Sequence, residues 1–220
     1  MSMINPSIFL LLTCLTFAAT AQPREAVEGM HYQALATPVP TSTDADHIEV
    51  RDIFWYGCPD CSTLEPLMTE WRSGVTGDLV FVRMPAIWND LMALHARIFF
   101  TGRALEAEDR IHQGAFRAIH EQGNPLRNEQ QIREFFVTNG IAAEAFETAW
   151  NSEEVIAAVD DARLRTADYD IQKLPAVIVG GRYKVLHNAK VFNHVEFNIA
   201  FNNVIFKMRV ERRPDFKSVQ

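Results

Sequence analysis

Apolar and polar positions alternate or cycle along this chain in blocks that predict an ordered series of elements. Residues 47–56, HIEVRDIFWY, are rich in β-branched and aromatic side chains and predict a strand. From Leu64 the apolar positions fall at Leu64, Leu67, Met68 and Trp71, the spacing of one helical face. Leu79 to Met84 predicts a second strand, and from Trp88 to Trp150 the pattern is helical throughout. Within that block Asn128 and Gln131 make a start resembling a capping box, Ile132, Phe135 and Phe136 supply an apolar side, and Asn139-Gly140 closes the helix. Ser152 caps a further helix running toward Asp168. Ala176 to Val179 predicts a short buried strand, Gly180-Gly181 a hairpin turn, and Arg182 to Leu186 its returning partner. Gly29 to Ala36 predicts an edge strand, joined to the central one by the polar connection TPVPTSTDAD, and Val191 to Val210 predicts a closing helix. Strands that frame a long helical block indicate an α/β fold with a helical insertion.

The chain has 220 residues, 48% hydrophobic and 22% charged, enough to bury a core without crosslinks. Its net charge of -7 argues against nucleic acid, whose phosphates demand a basic footprint. The basic group Lys207, Arg209, Arg212, Arg213 and Lys217 is interrupted by Glu211 and Asp215 and suits the solvated end of a last helix. Residues 1–21 carry an apolar run from Ile8 to Ala19 followed by Ala19-Thr20-Ala21, a small-x-small cleavage pattern. This predicts an export signal, with a positively charged start reduced to the α-amino group; a retained anchor is the other reading. Thr13 before Cys14 does not suit lipid attachment. Cleavage after Ala21 would leave two cysteines, Cys58 and Cys61, in an oxidising compartment.

Only Pro59 and Asp60 separate those two cysteines. A structural crosslink stabilises mainly by closing a long loop, and a bridge across two residues closes almost none. Zinc as a rule needs four ligands, and no second closely spaced Cys or His pair is present. Ser62 after the pair removes the haem-attachment pattern. Thiol chemistry remains, with no cofactor and no metal expected. The pair sits where the strand turns into the helix, and Pro59 suits the first helical turn, where its missing N–H has no partner to lose. Free N–H groups and the positive end of the dipole then surround Cys58 and favour its thiolate. Pro66 falls inside the same helix.

Ile48, Val50, Asp52, Phe54 and Tyr56 share one strand face by the period of two, which sets an acid among apolar neighbours. Arg83 is the matching anomaly beside Leu79 and Phe81. One reading makes Asp52 and Arg83 a buried pair beneath the cysteines, with Asp52 relaying a proton to or from Cys61. The other leaves both at strand ends in water. Ile87, Trp88, Leu91 and Met92 fit either a shallow binding groove or the core of a helix. The scattered histidines, His95 among them, read as surface or packing residues.

FWYGCPDC after a strand, an acid six positions before the first cysteine, LPAVIVGGRYKV downstream, and NEQQIREFFVTNGIAAEAFETAWNS between them together resemble the DsbA family of exported dithiol oxidases. The resemblance runs through nearly all of the chain beyond residue 21. It implies a thioredoxin fold with an inserted helical domain: residues 22–86 and 152–220 as the thioredoxin-like domain, and 87–151 as the insertion. It also implies a monomeric periplasmic enzyme that passes its disulfide to reduced or unfolded exported proteins and is reoxidised by a quinone-linked membrane partner resembling DsbB.

The expected mechanism has an exposed Cys58 as the attacked sulfur, its low pKa making it a good leaving group; by the resemblance Pro175 is cis against the cysteine pair, freeing the Leu174 backbone to receive an extended peptide. The family more often has Val or Thr at the position of Leu174, which bears on substrate preference. It usually has histidine at the position of Asp60. A carboxylate roughly 6 Å from a thiolate costs about 1 to 3 kcal/mol at an effective dielectric of 20 to 40. That converts to roughly 20 to 60 mV toward a weaker oxidant. A weaker reductase, a disulfide isomerase and a peptide-binding chaperone with incidental thiols are the alternatives.

Overall fold

The computed structural model describes residues 26–186 and 194–212. The predicted export signal, Cys14, the first residues of the predicted closing helix and the last two cations of the basic group lie outside those residues.

Five strands form one sheet: β1 (Tyr32–Ala34), β2 (Ile48–Phe54), β3 (Leu79–Pro85), β4 (Ala176–Val179) and β5 (Tyr183–Val185), in the spatial order β1-β5-β4-β2-β3. β2 runs parallel to β3 and antiparallel to β4. The parallel pair needs a crossover. It is supplied by α1 (Pro59–Ser73). Between β3 and β4 stand α2 (Asp90–Ala104), α3 (Glu108–His120), α4 (Glu129–Thr138), α5 (Ala143–Trp150) and α6 (Glu153–Asp168), and α7 (His194–Glu211) follows β5. The predicted elements are all present: β2 and β5 are trimmed by one or two residues at their ends, β4 has the predicted bounds, and β3 runs one residue further, to Pro85. The edge strand is the most shortened, with three paired residues where the sequence predicts eight.

The start signals read from sequence act as caps. The side chains of Asn128 and Ser152 accept the N–H groups of Gln131 and Val155, and Asn89, which the sequence reading did not single out, caps α2 through the Met92 N–H. Gln131 reaches back to the N–H of Arg127, one residue before the cap, so the box resembles the usual form without reproducing it. Gly180 and Gly181 both have positive φ, 58° and 64°, as a two-residue primed hairpin turn requires. At Gly181 a Cβ would lie 2.0 Å from the Val39 carbonyl oxygen, so that position admits glycine alone.

Side chains of Ile48, Val50, Val177 and Val179 pack with Leu64, Leu67 and Met68 of α1 and with Phe201, Val204, Ile205 and Met208 of α7. A second cluster joins Ile53, Phe54, Ala176 and Ile178 to the helices between β3 and β4. All seven β2 residues are consequently buried, including Glu49 and Arg51, which lie on the opposite face from Asp52. Those two solve their burial by pairing: Arg51 Nε lies 2.8 Å from Glu49 Oε1, and Ser42 donates to the other carboxylate oxygen. Ile87 and Met92 belong to the core, and Trp88 alone of the proposed groove residues is exposed, at 48%, with its indole N–H on the Ile171 carbonyl.

Candidate active site

β2 ends at Phe54, and the chain turns through Trp55, Tyr56 and Gly57 before α1 begins. The Cys58 N–H closes this turn on the Trp55 carbonyl at 3.0 Å. Cys58 is the N-cap residue of α1, in extended conformation, with Pro59 in the first turn. Its Sγ accepts the Cys61 N–H at 3.2 Å. A sulfur thus occupies the place that a Ser or Asp oxygen takes in ordinary caps, among N–H groups that the helix leaves free.

Both cysteines are free thiols, and their environments push them apart. The hydrogen bond from the Cys61 side chain lowers the pKa of Cys58 most, with the Cys61 N–H adding to it and burial opposing. Asp60 acts both ways, its charge raising that pKa and its N–H lowering it. Burial pushes the Cys61 thiol strongly up, and the neighbouring Cys58 and Asp52 add to the shift. Cys58 is 8% exposed and Cys61 3%. The expectation of a freely exposed Cys58 is therefore corrected: the same hydrogen bonds that stabilise its sulfur draw it into the rim of the core.

The predicted Asp52–Arg83 pair does not form, and neither does its alternative at the strand ends. Both residues are buried, at 3% and 2% exposure, and they stand opposite each other in the β2–β3 register. The Arg83 guanidinium instead binds Glu65 Oε1 at 2.9 Å and Asp109 Oδ1 at 2.8 Å. With Glu108 Oε1 at 3.5 Å as well, three acids near the end of its long side chain outcompete the one beside it. Glu65 is further held by Thr69 Oγ1 at 2.7 Å and lies 2.9 Å from His112 Nε2. Asp52 has no hydrogen-bonding or ion-pairing side chain among the described residues. Burial first, then the Glu65 charge, push its pKa up to about 7, against a lowering by Arg83. Its charge adds to the upward shift of the Cys61 thiol.

Leu174–Pro175 is cis, as the resemblance implies. Pairing of Ile53 with Ala176 sets Pro175 opposite Phe54, at the end of the sheet from which Cys58 emerges. Leu174 is half-buried against the core, and Asp60 is exposed. Sequence reasoning missed Glu65, His112 and Asp109. For Glu65 a signal existed: one turn after Cys61 and just before Met68, it falls on the inward stripe of α1.

Dithiol and fold together define a thiol–disulfide oxidoreductase of the thioredoxin class. Residues 56–197 match the DSBA-like thioredoxin domain family. The thiol:disulfide interchange protein DsbA of Pseudomonas aeruginosa is 30% identical over 168 residues, 76% of this chain and 79% of that protein. DsbA of Azotobacter vinelandii is 33% identical over 169 residues, 77% and 78% of the two chains. The crystal structure of P. aeruginosa DsbA superposes with a TM-score of 0.77 at 28% identity, covering 83% of this chain and 94% of that one. The Xylella fastidiosa DsbA structure gives 0.76 at 25% identity, covering 83% and 97%. This chain belongs to the DsbA-like thioredoxin family.

Asp52 makes stability depend on pH in a defined direction. It holds its proton to about pH 7 in the folded chain and ionises near pH 4 when unfolded. The native state therefore binds the extra proton between those values. Its contribution is fully present below about pH 4 and is lost as pH rises through about 7. Asp52→Asn removes the titration, and relative to the parent it should gain on the order of 4 kcal/mol between pH 4 and pH 8. Urea midpoints of the reduced proteins at both pH values measure this; an equal difference at the two would contradict it.

Proposed function

We propose that this chain donates a Cys58–Cys61 disulfide to cysteines of exported proteins in the periplasm, with residues 1–21 as its export signal. The observation that carries the reading is the split between the two sulfurs: Cys58 stabilised as thiolate on the α1 N-terminus and Cys61 held as thiol by burial. A substrate thiolate attacks Cys58 Sγ, forming a mixed disulfide as the Cys58–Cys61 bond breaks. Cys61 leaves with the electron pair and needs a proton, because its thiolate is disfavoured. Asp52, protonated up to about pH 7, is the proton source in this reading. A second substrate thiolate then attacks the substrate sulfur and expels Cys58 as a thiolate, a good leaving group because of its low pKa. Two electrons have passed to the chain, and the substrate holds the disulfide.

Recognition falls to the Leu174 backbone beside cis-Pro175, where an extended peptide adds as a strand. Residues 22–86 and 152–220 form the thioredoxin-like part in this reading and 87–151 the insertion. The chain acts as a monomer, and a quinone-linked membrane partner resembling DsbB removes the electrons. No helix among the described residues is long and apolar enough to cross a membrane.

Transfer to a reduced peptide with two cysteines, in the absence of oxygen, tests the reading. One peptide disulfide should form per oxidised chain, and none with Cys58→Ser. Peptide oxidation that persists in Cys58→Ser would refute it, and binding without oxidation by the parent would favour the chaperone.

Asp60 supports a second reading, that the dithiol is a weaker oxidant than one with histidine there. Its charge opposes the Cys58 thiolate. Solvent screens part of that effect, because Asp60 is exposed. Asp60→His should raise the equilibrium potential against glutathione by roughly 20 to 60 mV. An unchanged potential would remove Asp60 as the cause.

A further inference from the structure

Three histidines from the helices between β3 and β4 converge on the two residues that lead into the dithiol. His95 of α2 accepts the Trp55 indole N–H on Nδ1 at 3.0 Å, and its Nε2 meets the Pro125 carbonyl at 3.3 Å. Burial pushes its pKa down to about 4, and a neutral ring with the proton on Nε2 satisfies both contacts. His112 of α3 lies 3.2 Å from the Tyr56 hydroxyl through Nδ1. His120, in the last turn of α3, donates from Nε2 to the Tyr56 carbonyl at 2.7 Å. Tyr56 is thus gripped at both polar ends.

Those contacts control the geometry of the turn. The Tyr56–Gly57 peptide precedes a glycine, which has no side chain to limit rotation. His120 holds the carbonyl of that peptide, and so fixes the plane of its N–H as well. The Trp55 ring folds back over Gly57 so closely that a Cβ at position 57 would lie 2.3 Å from it. His95 holds the ring there. At the next residue, Cys58 Sγ must meet the Cys61 N–H at 3.2 Å, a contact that a modest rotation of the turn would lose.

We propose that His95 and His120 are positioning residues for the thiol–disulfide reaction: they fix the Trp55 ring and the Tyr56–Gly57 peptide and thereby aim the Cys58 sulfur at the α1 N-terminus. The helical block then sets the reactivity of the dithiol as well as covering it. This rests on Cys58 being the attacked sulfur, as proposed above.

The test is the rate of Cys58 alkylation by iodoacetamide in the reduced full-length chain, measured across pH 3 to 9, with unfolding midpoints alongside. His120→Ala should alkylate about threefold to tenfold more slowly at pH 5 than the parent, the effect of one lost hydrogen bond. His120→Gln, which keeps a donor where Nε2 stands, should stay within about twofold of the parent. The same contrast is expected between His95→Leu and His95→Asn, which keeps an acceptor where Nδ1 stands, should His120→Ala not fold. Unchanged profiles in the Ala and Leu variants, or equal losses in all four, would overturn the proposal. A parent with no inflection below the ordinary thiol value of about 8.5 would overturn the underlying reading of Cys58 and the proposal with it.

Discussion

A sulfur at a helix N-cap is the constraint on which the rest of this structure turns. The first turn of an α-helix offers N–H groups with no partner inside the helix, and the acceptor that takes one is favoured when it carries negative charge. Here that acceptor is Cys58 Sγ, bonded to the Cys61 N–H. Several neighbouring choices serve the geometry. Pro59 occupies a helical position where no donor is lost, and Gly57 leaves room for the Trp55 ring. The Cys58 N–H pins the turn to the end of β2. The second sulfur, one turn into the helix, faces the core and stays protonated. One short stretch therefore produces two thiols of opposite character, which an exchange reaction with a defined order of attack needs.

Beneath the pair lies a set of buried charges that resolves itself unequally. Arg83 and Glu65 neutralise one another, and Asp109, Thr69 and His112 complete their surroundings. Burying a single carboxylate is costly, and Asp52, left outside these pairs, meets that cost by keeping its proton. In the proposed reaction that neutral acid supplies the proton for the thiol that departs as an anion. The imbalance between Asp52 and its better-paired neighbours is what leaves one buried carboxyl protonated to about pH 7.

Much of this was legible in the chain because it is local. The strand, turn and helix around CPDC follow from β-branched residues, a proline and a run of apolar positions within a short span, and the caps at Asn128 and Ser152 and the Gly180-Gly181 turn act over a few residues. The partners of Arg83 were not legible. Glu65 and Asp109 come from α1 and α3, and only the docking of the helical block brings them together. The burial of both faces of β2 was hidden for the same reason, since nothing local to Glu49 and Arg51 shows that a second layer covers them. The cis bond before Pro175 came from family resemblance, as local sequence does not select the isomer. Of the histidines read as surface or packing residues, His95 and His112 are buried, and these two and His120 also contact the active-site turn, which is visible only once α2 and α3 are placed beside Trp55 and Tyr56.

The most direct measurement of the central claim is thiolate absorbance near 240 nm, titrated in the reduced protein with the oxidised protein as blank. The account predicts one thiolate appearing below the ordinary thiol value of about 8.5, with no second one until strongly alkaline pH. A first thiolate that appears only near that ordinary value, or two that appear together, would contradict it.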